Sequence, residues 1–378
     1  MHLWDKEEIA DEDFEDRLRT ALYLSYLEAR KGGKRKTRNE HAFEVNAFQN
    51  LKLLRQDIMD RTYRPSRSVA HIIFDPVIRE IFAATFRDRI VHHLIFAIVY
   101  DWWDKHFIYD SYSCRTGKGV KFGLERLDHH IRSASLNYAR KVYVLKLDIQ
   151  GYFMSLPRAR LYEQAIWGLE RQFQGRPNSP EYQLIKFLWY QTIFDDPVEG
   201  VRRVGDLRNW DLLPKTKSLF GQPRGKGIVI GNLTSQLLSN IYLNQLDLFI
   251  TKTLGYKHYG RYVDDFYIVV TEERLPQLKC DVEAIENYLK SIELTLHPKK
   301  RKLQEASKGV DFIGGVVYPD RVVPGRRLAK NFCVAMREVE EGQRSIDTVA
   351  SYLGHLKYFD SNKSIERAFG KVGWDYKI

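Results

Sequence analysis

The chain has 378 residues, 44% of them hydrophobic, enough apolar material for a substantial core spread over two or three lobes, so a disordered chain is excluded. Sixty Lys and Arg against 49 Asp and Glu leave a formal charge of +11, which favours an anionic partner without naming one. Cys114, Cys280 and Cys333 stand too far apart for a zinc site or a disulfide framework, and a reducing, intracellular setting is expected.

The first residues, MHLWDKEEIADEDFEDRL, are acidic where a secretory signal would be basic and then apolar. No run of about 18 apolar residues could span a bilayer, so the expectation is a cytoplasmic protein with no membrane partner. Phe14, Leu18, Leu22 and Tyr26 fall at helical spacing within residues 12–30, ahead of the basic run KGGKRKTR at 31–38, which reads as a phosphate grip or as a solvated loop. A second helix is expected over 42–60 and a third, apolar on more than one face, over Arg79 to Trp103. His92 and His93 in the third read as packed residues, since no companion ligands lie at zinc-site spacing. VYVLKLDI at 142–149 is rich in β-branched residues and predicts a central strand that ends on an acid. The stretch 195–226, dense in Gly, Pro and charge, predicts loops or an irregular hairpin. RYVDDFYIVV at 261–270 predicts two apolar strands around an Asp-Asp turn, and the pattern after Pro324 is wholly helical.

Chemistry concentrates on three acids. A carboxylate that closes a buried strand is costly unless it is paired or bound to a cation, and Asp148 is in that position. Asp264 and Asp265 pose the same problem at their turn, and neighbouring strands would bring all three together. Taken singly, each acid reads more readily as a cap or a salt-bridge partner. Taken together they suit phosphoryl transfer by two divalent ions, because magnesium takes few carboxylates and fills its shell with water and substrate oxygens.

YVDD at 262–265 resembles the Tyr-x-Asp-Asp box of reverse transcriptases, and LKLDIQGYF at 145–153 resembles their first palm motif. The resemblance implies that Asp148 and Asp264 bind the metals together with the carbonyl of Ile149, and that Asp265 lies close by. It also implies that Phe153 is the steric gate against a ribonucleotide 2′-hydroxyl, where the residue alone reads as core. SYSCRTGKG at 111–119 resembles the fingers motif, with Arg115 and Lys118 toward the incoming triphosphate, and LTLHPKKRKLQ at 294–304 resembles the motif whose lysine, here Lys300, lies near the nucleotide. VDFIGGVV at 310–317 resembles the primer grip and SYLGHLKYF at 351–359 the thumb.

GIVIGNLTSQLLSNIYLNQLD at 227–247 is similar to one subgroup. Most reverse transcriptases carry Gln-Gly and Ser-Pro where this chain has Ile230-Gly231 and Ser235-Gln236, and IGNLTSQ resembles the enzymes of diversity-generating retroelements. Gly231 would let backbone approach the nucleotide, and a helix with Leu237, Ile241 and Leu248 on one side would anchor the loop. The likeness implies an α+β right-hand polymerase with an antiparallel palm sheet. Residues 1–140 would form an N-terminal extension and fingers, 141–318 the palm with a fingers segment at 171–226, and 319–378 a helical thumb. Implied partners are dNTPs, a template RNA, the RNA–DNA hybrid and a small basic accessory protein oligomer. The implied cofactor is a pair of Mg2+ ions, with Mn2+ as the alternative, and the implied activity is error-prone copying of template adenines. Another bacterial reverse transcriptase, from a group II intron, a retron or an abortive-infection system, stays open at this point. So does a non-catalytic RNA-binding scaffold on the same fold.

Overall fold

A computed structural model describes residues 14–31, 37–74 and 77–371. The acidic start of the chain and the middle of the run KGGKRKTR lie outside the described residues. Helices α1 (Phe14–Ala29), α2 (Arg38–Glu44) and α3 (Ala47–Met59) come first, then strands β1 (Val69–Ile73) and β2 (Arg79–Ala83) and the long helix α4 (Phe86–His106). Helix α5 (Val120–Ser135) leads into strand β3 (Val142–Asp148), followed by α6 (Tyr152–Ser155), α7 (Arg158–Gln172) and α8 (Pro180–Phe194). A two-residue strand, β4 (Arg202–Arg203), and short 3-10 turns precede α9 (Leu233–Leu248), β5 (Tyr259–Tyr262), β6 (Asp265–Thr271) and α10 (Leu275–Ser291). Strands β7 (Lys302–Glu305), β8 (Val310–Phe312), β9 (Gly315–Val317) and β10 (Val322–Pro324) are followed by helices α11 (Arg326–Glu340), α12 (Ile346–Leu356) and α13 (Asn362–Lys371). Among the described residues no helix is long and apolar enough to cross a membrane.

Three expectations need correction. The helix expected from Arg79 begins only at Phe86, because Arg79–Ala83 alternates exposed and buried positions and pairs with β1, while the Thr85 side chain caps α4 by accepting from the Asp88 N–H. The helix expected over 42–60 is broken at Asn46, whose backbone leaves helical geometry. Leu248 is 38% exposed and does not join Leu237 and Ile241 in the core, since it ends α9 where the chain widens into a π turn at Phe249–Thr253.

The chain divides into two compact units. The first takes the described residues up to Phe107 with Gln150–Gln245 and Ser291–Leu294. Its sheet has the order β2-β1-β4, antiparallel between β1 and β2 and parallel between β1 and β4. Ala70, Phe82, Met154, Leu219 and Val229 form a buried cluster there, with Phe153 and Ile230 half-buried against it. His92 is buried on α4 and shares a 2.9 Å hydrogen bond with the Thr234 hydroxyl; burial pushes its imidazole down to about 4, so it is neutral at pH 7.

The second unit takes Ile108–Ile149, Leu246–Lys290 and the described residues from Thr295 on. Its main sheet is antiparallel in the order β5-β6-β3-β7. The central strand runs Val142 to Asp148 opposite Thr271 to Asp265, and its inward residues Val142 and Val144 pack with Leu127 and Ile131 of α5 and with Val269 and Phe312. Each such aliphatic or aromatic side chain contributes roughly 1.5–3 kcal/mol when fully buried. Gly260 has to be glycine, since a Cβ there would come within 2.2 Å of the Tyr112 hydroxyl and 2.6 Å of the Tyr267 hydroxyl. Helices α11 to α13 close on their own core of Phe332, Met336, Val349, Leu356 and Ile365.

Candidate active site

The three acids expected to carry chemistry meet at one end of the second unit's sheet. Asp148 ends β3 and is the register partner of Asp265, which starts β6. Tyr262 and Asp265 pair across a two-residue turn, so Val263 and Asp264 form its tip. The Asp264 carbonyl accepts from the Ile149 N–H at 3.2 Å, and the Asp148 carbonyl accepts from the His297 N–H at 2.8 Å. Backbone bonds thus fix both acid-bearing segments and Ile149 to one another.

Electrostatics at this edge are strained. Asp148 is 5% exposed, and Asp264 and Asp265 are half-buried. Burial, followed by the charges of Asp264 and Asp148, pushes the Asp265 carboxyl up to about 7. Lys300 answers part of this charge, its ammonium donating to Asp148 Oδ2 at 2.7 Å. Burial works to lower the Lys300 pKa, but the hydrogen bond and charge of Asp148, with Asp265 and Asp264 beyond, outweigh it and leave it raised.

The turn itself is unusual. Val263 has φ of 57°, at the first central position of a two-residue hairpin turn where glycine is favoured. A β-branched residue in this left-handed region is strained. A buried ion pair holds it there: Arg261, in β5, donates through one guanidinium nitrogen to the Val263 carbonyl at 2.9 Å, and through two others to Asp247 at 2.6 and 2.7 Å. Arg261 and Asp247 side chains are both fully buried, and the Tyr259 hydroxyl adds a 2.6 Å bond to Asp247. Neither Arg261 nor Asp247 stood out in the sequence. A charge in the apolar run leading into YVDD was the available signal, because a buried guanidinium demands a partner.

Arg115 and Lys118 lie in the same unit on the loop after Phe107. Arg115 is buried and donates to the carbonyls of Ile108 at 2.6 Å and Ser111 at 3.1 Å. Lys118 donates to the Tyr109 carbonyl and sits 4.5 Å from the Tyr109 ring centre. Both side chains therefore brace their own loop in this state. Phe153, Ile230, Gly231 and Gln236 belong to the first unit. There the Phe153 carbonyl accepts from the Ile228 N–H at 2.9 Å, and the Ile230 carbonyl from the Phe82 N–H at 3.4 Å. Gly231 has φ of 124°, and a Cβ on it would lie 3.3 Å from the Phe82 carbonyl oxygen, so only glycine fits without strain. Gln236 is half-buried in the first turn of α9, its N–H bonded to the Asn232 carbonyl at 3.3 Å.

A family model described as "Reverse transcriptase (RNA-dependent DNA polymerase)" matches residues 77–317, more than half of the chain. The chain belongs to the reverse transcriptase family. All three acids and Lys300 fall inside the matched span of this reverse transcriptase. Its fold is also that of solved relatives: apo telomerase from Candida tropicalis superposes with a TM-score of 0.50 at 12% identity, over 83% of this chain and 60% of that one. Telomerase from the same organism in complex with a TWJ fragment of telomeric RNA gives 0.50 at 11% identity, over 82% and 55%. The chain thus spans little more than half the length of those telomerase chains. At such identity the likeness is one of fold, an α+β right-hand polymerase whose main sheet is antiparallel. No curated protein matches the sequence.

Reverse transcriptase domains use divalent metal ions, and the donor chemistry at the sheet edge fits them. The donors are oxygens only, and burial together with the neighbouring charges of Asp264 and Asp148 raises the Asp265 carboxyl, a cost that a bound cation would relieve. Among the described residues no three His, Cys, Asp or Glu side chains are arranged around one ion position. The protein offers an open, sparse set of donors here and no closed cage.

Proposed function

We propose that the chain is an RNA-directed DNA polymerase that extends a DNA 3′ end along an RNA template by two-metal nucleotidyl transfer. The observation that carries the reading is the opposition of Asp148 to Asp265 across paired strands, with Asp264 on the adjoining turn. In this reading Asp148, Asp264 and the Ile149 carbonyl hold two Mg2+ ions, or Mn2+, and Asp265 sits beside them. Bound divalent ions would supply the charge that makes the primer 3′-hydroxyl a nucleophile and stabilises departing pyrophosphate. Lys300, already bonded to Asp148, is the candidate cation for the nucleotide phosphates. Arg115 and Lys118 would exchange loop carbonyls for triphosphate oxygens as the nucleotide arrives. Phe153 would reject the ribonucleotide 2′-hydroxyl, and Ile230, Gly231 and Gln236 would contact the nucleotide or template. Residues 1–140 would serve as extension and fingers, 141–318 as palm with the 171–226 fingers segment, and 319–378 as thumb.

The finer reading is a diversity-generating retroelement, in which a template-repeat RNA is copied into adenine-mutagenised cDNA with the help of a small basic accessory protein oligomer. It is supported by IGNLTSQ at 230–236, where an aliphatic Ile230 replaces the glutamine usual in accurate relatives. Losing a polar orienting contact lowers the penalty for a misaligned base pair. A solved telomerase in complex with telomeric RNA supports RNA as the partner class.

Primer extension on an RNA template tests the activity. Asp264→Ala is expected to cut the single-turnover rate by about three orders of magnitude or more, since a metal-bound transition state is worth several kcal/mol, while RNA affinity stays within about twofold. Extension at the wild-type rate would refute the assignment. For the finer reading, Ile230→Gln is expected to lower misincorporation opposite template adenine while synthesis continues. Equal error spectra in sequenced products would move weight to another bacterial reverse transcriptase.

A further inference from the structure

The charge excess of this chain is unevenly placed. From Gly200 to Lys226 there are seven Lys or Arg against two Asp, which concentrates nearly half of the formal +11 in one short segment. The segment is not a loose loop. Its strand β4 pairs in parallel with β1, Val69 to Arg202 and Ala70 to Arg203, and the Val204 N–H donates to the Ala70 carbonyl at 2.9 Å. Further along, Glu80 of β2, only 1% exposed, accepts from the Ser218 hydroxyl at 2.9 Å and from the Leu219 N–H, while Leu219 itself enters the Phe82 and Met154 cluster. Gln222 closes the turn by donating to the carbonyls of Lys215 and Ser218. A buried acid and a strand pairing thus hold an irregular, glycine-rich stretch in a defined shape.

Some of its cations are already committed. Arg208 pairs with Asp206 at 2.7 Å and Lys226 with Glu293 at 3.3 Å. The Arg203 guanidinium lies 5.4 Å from the Trp210 ring centre and 4.8 Å from that of Phe220, a residue 36% exposed. Arg202, Lys215, Lys217 and Arg224 are all exposed, and among the described residues none of them has an ion-pair partner. Flexible surface lysines are common, but four unneutralised cations on an anchored scaffold beside an arginine–aromatic stack combine the two elements that grip single strands: charge for phosphates and rings for bases.

We propose that the Gly200–Lys226 segment is a binding surface for the phosphodiester backbone of single-stranded nucleic acid, with Arg202, Lys215, Lys217 and Arg224 as its phosphate contacts. The inference rests on the polymerase reading for the identity of its natural ligand, template RNA, but it concerns binding and not chemistry.

Salt dependence of binding tests it. The probe is a roughly 20-nucleotide mixed-sequence RNA, with its DNA counterpart in parallel, and the readout is the slope of log K against log salt, to which each phosphate contact on a single strand adds about 0.7. Replacing Arg202, Lys215, Lys217 and Arg224 together by Gln is expected to lower the slope by about 2 or more and to weaken binding at least tenfold near physiological salt. Thermal melting of the variant checks that the fold is intact. A control variant with Lys252, Lys257, Lys279 and Lys290, exposed residues of the other unit, changed to Gln removes the same charge. A slope that falls by less than about 2 in the segment variant, or by as much in the control, overturns the proposal. A fall on both probes assigns the contact to phosphodiester as such; a fall on RNA alone ties it to the ribose strand. Wild-type protein that binds through this segment yet never extends a primer would sink the polymerase reading and leave the surface standing.

Discussion

At the scale of single residues, the Arg261–Asp247 pair does more than fill space. Removing water from two charges is costly, and the pair is tolerated because a forked guanidinium satisfies both carboxylate oxygens while its remaining nitrogen reaches the Val263 carbonyl. Asp247→Ala would leave that guanidinium buried without its counter-charge. A loss of about 3–5 kcal/mol is expected, read as a lower urea midpoint. A loss below about 1 kcal/mol would mean that water or another acid takes over. Lys300 stands in a different position, exposed enough to swing and held by one bond to Asp148, so its pairing sets the direction of a charge and adds little to stability.

Among elements, the junction of α5 with β6 and the loop before α5 is held by a polar chain through the core: Arg126 to Asp110, Asp110 to the Tyr112 hydroxyl, Tyr112 to the Tyr267 hydroxyl, and Tyr267 to His130. Burial works to raise the Asp110 carboxyl, but hydrogen bonds from His130 and Arg126 and their charges outweigh it and hold the carboxyl at about 2, below the ordinary 3.8. A folded-state pKa that is depressed stabilises the fold above the unfolded pKa and ceases to as pH falls through the folded one. The contribution, on the order of 2 kcal/mol, should therefore be present at neutral pH and fade between about pH 4 and 2. Comparing denaturant midpoints of wild type and Asp110→Asn across that range checks it. The gap between the two proteins should narrow with acid, and a constant gap would show that the carboxyl's charge is not what joins these elements.

Across the whole molecule, what could be read in the sequence followed the locality of each signal. The strand ending at Asp148 and the hairpin around Asp264 were legible because each is a short apolar run with one acid at a fixed place, and the sheet brings them into register. Ile81, Phe82 and Ala83 suit either a helix or a strand until pairing with β1 decides, so periodicity alone carries the third helix back over β2. The break at Asn46 and the exposure of Leu248 depend on where a helix stops, which periodicity does not mark. Partnerships were the least visible. Asp247 meets Arg261 across a turn of chain, and Glu80 meets Leu219 over a separation of 139 residues; neither contact leaves a trace in the spacing of its neighbours.

One valine carries a last implication. The left-handed residue at the tip of the hairpin, Val263, sits directly before the acid on which chemistry is proposed to turn. Any softening of the packing around it lets that residue slip back to a commoner shape and takes Asp264 off its mark. Warmth or mild denaturant would accordingly disarm the molecule while most of it is still standing.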